Sequence, residues 1–405
     1  MSFNFVTDRI VAGRAYPTLA TFQADPYSPE WQQFIQHHPY TIPVDLFDYC
    51  KQHNFSSDLH TIEKFPPGSF YVIAPGIFRC DVDYIGLLNP IIKAYLKLSH
   101  IRLLFYYHEG DNPHVIKELL DQRLIYHGLP LDCYYFISAN TEADQIPRFA
   151  YFPCHELIYW SRNQSCPATP INHLPRQRDF TVLSRTHKRW RATVMTDLHL
   201  RGLLENAYWS YNTSIHPLVN NDCEVDNVQH SANPIQTGSM FDCHVDKFLA
   251  QGSYHCDSLT AEQHNDHSQV VTEHYTNSYC SIILETHFDT DRSQGAFLSE
   301  KTFKAIKHGH PFIIVGTPGS LAQLRSLGYR TFDHAIDPDY DQITDPTQRW
   351  LRIAEIITDL KSKNLHDWFE SCVPDIIHNQ LLFSQSKHNR LNNLHDKLLH
   401  QLATT

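Results

Sequence analysis

"IRLLFYYHEGDNPHVIKELLDQRLIYHGLPLDCYYFISAN", residues 101–140, decides the fold class. It opens on a β-rich run, "IRLLFYY" (101–107), and closes on another, "CYYFISAN" (133–140). Between them "VIKELLDQRLIYHG" (115–128) reads as a helix. Upstream, "SFYVIAPGIF" (69–78) is strand-like and "YIGLLNPIIKAYLKLS" (84–99) has apolar residues at helical spacing. Strand, helix, strand, helix, strand at this spacing predicts a parallel sheet with covering helices. Functional groups are then expected in the loops after strands, at the carboxyl edge of the sheet.

Three prolines in "CPATPINHLPRQR" (166–178) interrupt any regular element and mark a boundary. A second alternating unit follows: "DFTVLS" as strand, "RWRATVMTDLHLRGLLEN" as helix, then "YCSIILET", "FLSEKTFKAIKHGHPFIIVG" (297–316) and the helical "GSLAQLRSLGY". Residues 212–278 are polar, histidine-rich and weakly periodic, and read as an irregular insertion. Residues 345–372 read as one long amphipathic helix. The expectation is an α/β protein of two facing Rossmann-like domains, 1–175 and 176–372, with a cleft between them and a helical tail over 373–405.

At 405 residues the chain is long for one core, and two domains are the default. A hydrophobic content of 42%, with 12% aromatics, supplies well-packed cores and argues against extensive disorder. The 33 basic and 44 acidic residues give a net charge of −11, which disfavours a general nucleic-acid or anionic-membrane binder. Ten cysteines without a Cys-x-x-Cys pair read as free thiols in a reducing compartment. The N-terminus lacks the pattern of a secretory signal, and the apolar runs are too short to span a bilayer. A cytoplasmic protein without a transmembrane segment is expected; the oligomeric state is left open. The 28 histidines form only two tight clusters, 36–38 and 308–310, and His308 and His310 would point in different directions, so no metal site is expected.

Three constellations carry chemistry. Glu285 ends an apolar strand and Glu300 opens the next helix; both carboxylates are expected to project from the carboxyl edge, where they can accept from ribose or sugar hydroxyls. Ser299 is a good N-cap, the free N–H groups of the helix start favour a phosphate, and Lys301 adds a cation beside it. A solvated helix start with Glu in the first turn explains the same residues. In "LSRTHKRWRATV" (183–194), Arg185, Lys188, Arg189 and Arg191 oppose the helix dipole, an arrangement that calls for an anion. Arg185 and Arg189 are the expected phosphate ligands; a solvated basic patch or an acidic-partner site is the alternative. A general base is sought in the first domain. Glu109 and Asp111 in "FYYHEGDNP" (105–113) lead, with Asp81, Asp83, Glu142 and Asp144 as alternatives, although loop carboxylates also serve as caps and turn formers.

The stretch 297–316 resembles the Ser/Thr-Glu-Lys block of α-1,3-fucosyltransferases and related two-domain (GT-B) glycosyltransferases. Its continuation, 317–341, is similar to fucosyltransferase-like proteins through "LGYRTF" and the acidic "DPDYD". The match is good over about 281–342, moderate over 180–211 and negligible in the N-terminal half. The resemblance implies a transferase that takes a nucleotide sugar as co-substrate, without a bound cofactor, and delivers the sugar to a glycan or other hydroxyl acceptor. Glu300 would bind the ribose of the donor and Lys301 its diphosphate.

"DTD" (289–291) matches the Asp-x-Asp metal signature of single-Rossmann (GT-A) enzymes, but it lies ahead of the Glu-Lys block. Cations and a helix N-terminus can replace a metal at the leaving group, so metal independence is expected. The His310-Pro311 dipeptide is shared with some CMP-sugar (sialyl- and Kdo-type) transferases, a variant reading. A non-catalytic nucleotide- or glycan-binding protein of the same fold, or an interaction platform using 212–278, are the other classes.

Overall fold

A computed structural model of the chain describes residues 3–7, 9–11, 14–16, 57–61, 66–73, 78, 83–88, 90–162, 168–184, 187–213, 233–257, 270–289 and 295–403. Packing divides the chain into two compact units, Met1–Cys154 with His388–Thr405, and His155–Lys387. The border lies ahead of the proline-rich stretch 166–178, since prolines mark where regular elements stop and a unit ends where contacts thin out.

The first unit contains β1 (Phe3–Thr7), a hairpin of β2 (Arg9–Val11) and β3 (Arg14–Tyr16), β4 (Ser57–Thr61), β5 (Ser69–Ile73), helix α1 (Pro90–Lys97), β6 (Ile101–Tyr107), α2 (Pro113–Tyr126), β7 (Tyr134–Ser138) and β8 (Phe149–Tyr151). Six strands form one parallel sheet in the order β4-β1-β5-β6-β7-β8. Strands β5 and β7 are buried along their whole length, the burial expected of a parallel sheet covered on both faces. Their unbroken apolar runs follow from that. Ile92 and Leu96 of α1 and Ile116, Leu120 and Leu124 of α2 pack with Tyr71, Leu103, Phe105 and Phe136 in one core.

The helix expected over 84–99 forms only from Pro90. Asp83 accepts from the Gly86 N–H at 2.8 Å, and Ile85 and Leu88 are buried from turns instead. Helix α2 starts where Asn112 accepts from the His114 N–H at 3.0 Å, with Pro113 in its first turn.

The second unit runs from α3 (Cys154–Arg162, whose first residue belongs to the first unit) through β9 (Arg178–Ser184), α4 (Arg189–Leu200), β10 (Ala207–Tyr211), α5 (Ser239–Ala250), α6 (Thr272–Thr276), β11 (Ser278–Leu284), α7 (Glu300–Lys307), β12 (Phe312–Val315), α8 (Ser320–Ser326), α9 (Pro346–Lys361) and α10 (Leu365–Gln385). Its four strands are parallel in the order β10-β9-β11-β12. The expected α/β class holds: each unit is built on a parallel sheet with helices.

Two expectations are corrected. The stretch 345–372 is two helices, because Asn364 accepts from the N–H groups of His366 (3.2 Å) and Asp367 (3.4 Å) and starts α10 afresh. The insertion 212–278 is not irregular throughout: α5 forms within it and buries Val245 and Phe248, an i,i+3 apolar pair hidden in polar sequence. The C-terminal helix α11 (Lys387–Ala403) belongs to the first unit from His388 on. Its Gln401 Nε2 donates to the Phe149 carbonyl (2.6 Å) and Lys397 Nζ to that of Tyr151 (3.3 Å), which covers the edge strand β8. No helix among the described residues is long and apolar enough to cross a membrane.

Candidate functional site

In the second sheet the connections of β9 and β11 depart to opposite sides, so the carboxyl ends of these neighbours form a topological switch point, the place where open parallel sheets bind ligands. The first residues beyond that edge are Glu285, after β11, and the segment leading into α4, after β9.

Glu285 is fully buried. Its Oε1 accepts from Thr302 Oγ1 at 2.6 Å, its carboxylate accepts from the Ser299 N–H at 3.2 Å, and Oε2 accepts from the Thr286 N–H at 3.2 Å. Gly316 makes room for it: a Cβ there would lie 3.3 Å from that of Glu285. Glu285 was expected to project toward a ligand. Instead it is a brace that fixes the start of α7 to the end of β11, because a buried carboxylate must be satisfied by the donors around it.

The brace presents the Ser299-Glu300-Lys301 helix start. Ser299 is buried and caps α7, its Oγ accepting from the Lys301 N–H at 3.4 Å and from Lys301 Nζ at 3.1 Å. Glu300 is 7% exposed, and its two oxygens face different partners: Oε2 lies 3.6 Å from His155 Nδ1 and Oε1 3.3 Å from Lys301 Nζ. A solvated helix start does not describe a carboxylate this buried. Lys301 is about a quarter exposed, at 24% of its side chain, and so reaches solvent from the edge of this cluster. His155 was not foreseen; it stands well over a hundred positions away in sequence, and no local pattern links it to Glu300.

The basic cluster divides. Arg191 is buried and donates to the carbonyls of Leu284 (3.3 Å) and Glu285 (2.6 Å), and Lys188 Nζ donates to that of Thr286 at 2.7 Å. These carbonyls leave the sheet at its carboxyl end and need donors, which explains cations at a helix start in place of a bound anion. Arg189 pairs with Asp246 of α5 at 2.9 Å near the surface, so this expected phosphate ligand has a partner within the chain. Arg185 lies outside the described residues. His187 Nδ1 is 2.8 Å from the Tyr211 hydroxyl, and burial, with Arg189 and Arg191 nearby, holds its pKa below the ordinary imidazole value.

A second brace was missed altogether. Arg349 of α9 is 1% exposed; its guanidinium donates to the carbonyls of Gly316 (3.1 Å), Ile343 (2.7 Å), Thr344 (3.1 Å) and Phe288. It lies over the Phe288 ring, 4.4 Å from its centroid, and Phe288 stacks on Trp190 at 5.0 Å. Burial lowers the Arg349 pKa to about 10, with Asp289, Asp341 and Asp345 acting in the opposite direction. The only sequence signal is an arginine on the apolar stripe of an amphipathic helix. Asp341, also buried, accepts from the Leu321 (2.8 Å) and Ala322 (3.0 Å) N–H groups at the start of α8. An open groove of about 470 Å³ adjoins it, lined by Gly319, Arg325, Asp337 and Asp339 among others; Arg352 pairs with both Asp337 and Asp339.

In the first unit, Glu109 and Asp111 follow β6. The Glu109 side chain is 29% exposed, 3.5 Å from His108 Nε2. Asp111 accepts from the Tyr107 hydroxyl, whose pKa is raised well above the usual value by burial and then by Asp111 and Glu109. The alternatives have structural partners. Asp83 bonds to His127 (2.7 Å) and Gly86; burial pushes its pKa up, but these bonds outweigh it and the net shift is downward. Asp144 accepts from the Tyr151 N–H at 2.8 Å and pairs with Lys397. Glu142 lies 3.9 Å from His114 on the surface, and Asp81 lies outside the described residues.

His308 and His310 are core residues. His308 bonds to Tyr159 (3.0 Å) and Thr169 (2.6 Å), and His310 to Ser281 (2.6 Å) and the Ser278 carbonyl (2.7 Å). Burial lowers both pKa values to about 3. The His310 ring of the His-Pro pair is thus engaged within the core. Of the Asp-x-Asp tripeptide, Thr290 and Asp291 lie outside the described residues.

The chain matches no family model and no curated protein. Among solved structures it is similar to a DNA-modifying β-glucosyltransferase determined with and without uridine diphosphoglucose, at 8% identity over 99% of this chain and 100% of that one, with a TM-score of 0.38. It is also similar to a T4 phage BGT mutant in complex with UDP-glucose, at 9% identity over 98% of this chain and 99% of that one, again with a TM-score of 0.38.

Proposed function

We propose that the chain is a glycosyltransferase that binds a nucleotide-sugar donor at the carboxyl edge of the second sheet. The supporting observation is the Ser299-Glu300-Lys301 helix start at the β9/β11 switch point, held in place by the buried Glu285. Lys301 and the N–H groups opening α7 hold the diphosphate, and Glu300, oriented by His155, accepts from ribose hydroxyls. Arg185 remains a proposed phosphate ligand; Arg189, paired with Asp246, is withdrawn from that role.

In the reaction the acceptor hydroxyl oxygen bonds to the anomeric carbon as the bond from that carbon to the phosphate oxygen breaks. The hydroxyl proton passes to a carboxylate, for which Glu109 is the proposed base and Asp111 the reserve. Negative charge grows on the departing diphosphate, and Lys301 with the α7 N-terminus stabilises it without a metal. A GDP-fucose-like donor and a glycan acceptor follow from the resemblance of residues 281–342 alone.

Thermal shift with UDP, GDP, CMP and ADP and their sugar conjugates, UDP-glucose included, tests this reading. One nucleotide series should stabilise the chain, by roughly 2.7 kcal/mol at 100 times its dissociation constant. Stabilisation without donor hydrolysis in single turnover would make the chain a binder and not a transferase. No shift with any of them removes the donor site.

A further inference from the structure

Cys256, Asp257 and His274 bring a thiol sulfur, a carboxylate oxygen and an imidazole nitrogen to within 4.8 Å of one another. Cys256 Sγ is 3.6 Å from His274 Nε2. Zinc bonds of about 2.3 Å to sulfur and about 2.0–2.1 Å to nitrogen, at a tetrahedral angle, separate the two ligand atoms by about 3.6 Å. We propose that these three residues form a site for a divalent metal of the zinc type, which pins residues 254–257 to helix α6, ahead of β11. A soft sulfur with an imidazole and one carboxylate selects zinc or cobalt over magnesium or calcium.

Both halves of the site are fixed without the metal. His274 is 3% exposed; its ring lies 4.8 Å from that of Tyr208, and its carbonyl accepts from Thr181 Oγ1 and Ser278 Oγ. Upstream of Cys256, Tyr254 exchanges backbone hydrogen bonds with Tyr211 (2.8 and 2.9 Å) and stacks on Trp209 at 4.0 Å. The fourth coordination position is left to water or another small ligand. His274 precedes β11 and its ring adjoins the second residue of β10, which puts the site at the amino end of the sheet, opposite the carboxyl edge of the proposed donor site. The metal therefore has a structural role, independent of the transferase reading.

Alkylation of the chelator-treated full chain by iodoacetamide, followed residue by residue with peptide mass spectrometry, tests the proposal. Zinc at ten times its dissociation constant should slow labelling of Cys256 by about tenfold, since only the metal-free fraction reacts. The exposed Cys243 is the internal control and should not change. With cobalt, a sulfur-to-metal charge-transfer band should appear and be lost in Cys256→Ser. His274→Gln should abolish protection. Should that variant not fold, Asp257→Asn, at a half-buried position, must still weaken zinc protection at least tenfold. Equal Cys256 labelling with and without zinc overturns the proposal, whatever zinc binds at other histidines. Full protection in Asp257→Asn overturns the three-residue site.

Discussion

Replacing Glu285 by Gln separates a brace from a ligand. The carboxylate accepts from the Ser299 N–H, the Thr286 N–H and the Thr302 hydroxyl, and is fully buried. Gln keeps the shape and one acceptor oxygen, but turns the other oxygen into an NH2 group that faces donors. At least one charge-assisted bond is lost, worth about 1.5–3 kcal/mol, and one buried donor is left unsatisfied. The relief of removing a buried charge offsets part of that. A net loss of about 2–4 kcal/mol is expected, which lowers the melting temperature by roughly 5–10 °C in a unit of this size. Thermal unfolding of the ligand-free protein reads it, and hydrogen exchange should place the loosening at Ser299–Lys301. A variant that melts within a degree of wild type, yet binds donor poorly, would refute the brace and return Glu285 to the ligand set.

Two further predictions concern groups that the structure reassigns. The pKa values of His308 and His310 are lowered to about 3 in the fold against about 6.5 unfolded, so the unfolded chain binds more protons between these values. Their contribution is complete above about pH 6.5 and is lost as pH falls toward 3, at about 1.4 kcal/mol per pH unit for each histidine. Urea titrations at pH 7 and 5 should show that slope, and it should flatten in His308→Gln with His310→Gln; an unchanged slope contradicts their burial as neutral rings. Arg189→Ala should alter stability by less than about 1 kcal/mol and leave nucleotide affinity unchanged, since it breaks an exposed pair with Asp246. Arg185→Ala should weaken nucleoside diphosphate binding at least about tenfold; the reverse pattern would restore Arg189 as the phosphate ligand.

What was legible in the sequence follows the range of the interactions. The run 101–140 could be read because strands buried on both faces are continuously apolar and Asn112-Pro113 marks a helix start; its elements stand at 101–107, 113–126 and 134–138. The Ser299 cap was equally local, two residues from the N–H it bonds. The break at Ser362–Asn364 was not seen, because apolar periodicity continues through it and only the Asn364 side chain marks the restart. Arg191 and Arg349 were illegible as braces: Arg191 serves carbonyls more than ninety residues away, Arg349 joins nearby carbonyls to those of Gly316 and Phe288, and their sequence neighbours do not announce buried donors. Glu285 was misassigned for the same reason, since a carboxylate at a strand end reads alike whether it faces ligand or the backbone of the next helix. The Cys256–His274 contact bridges a segment with no ligand-spacing pattern.

The most direct test of the donor site is binding of a nucleoside diphosphate and of its bare nucleoside to wild type and to Lys301→Ala. The pair is chosen from whichever base stabilises the chain. Lys301 is partly exposed but pairs with Glu300 and donates to Ser299, so its removal should lower the ligand-free melting temperature modestly, and nucleoside binding controls for that loss. A charge-assisted phosphate contact contributes about 1.5–3 kcal/mol, so diphosphate affinity should fall at least about tenfold while nucleoside affinity holds. Equal affinity of both proteins for the diphosphate would mean that the Ser299-Glu300-Lys301 start is only a well-capped helix, and the donor site would have to lie elsewhere.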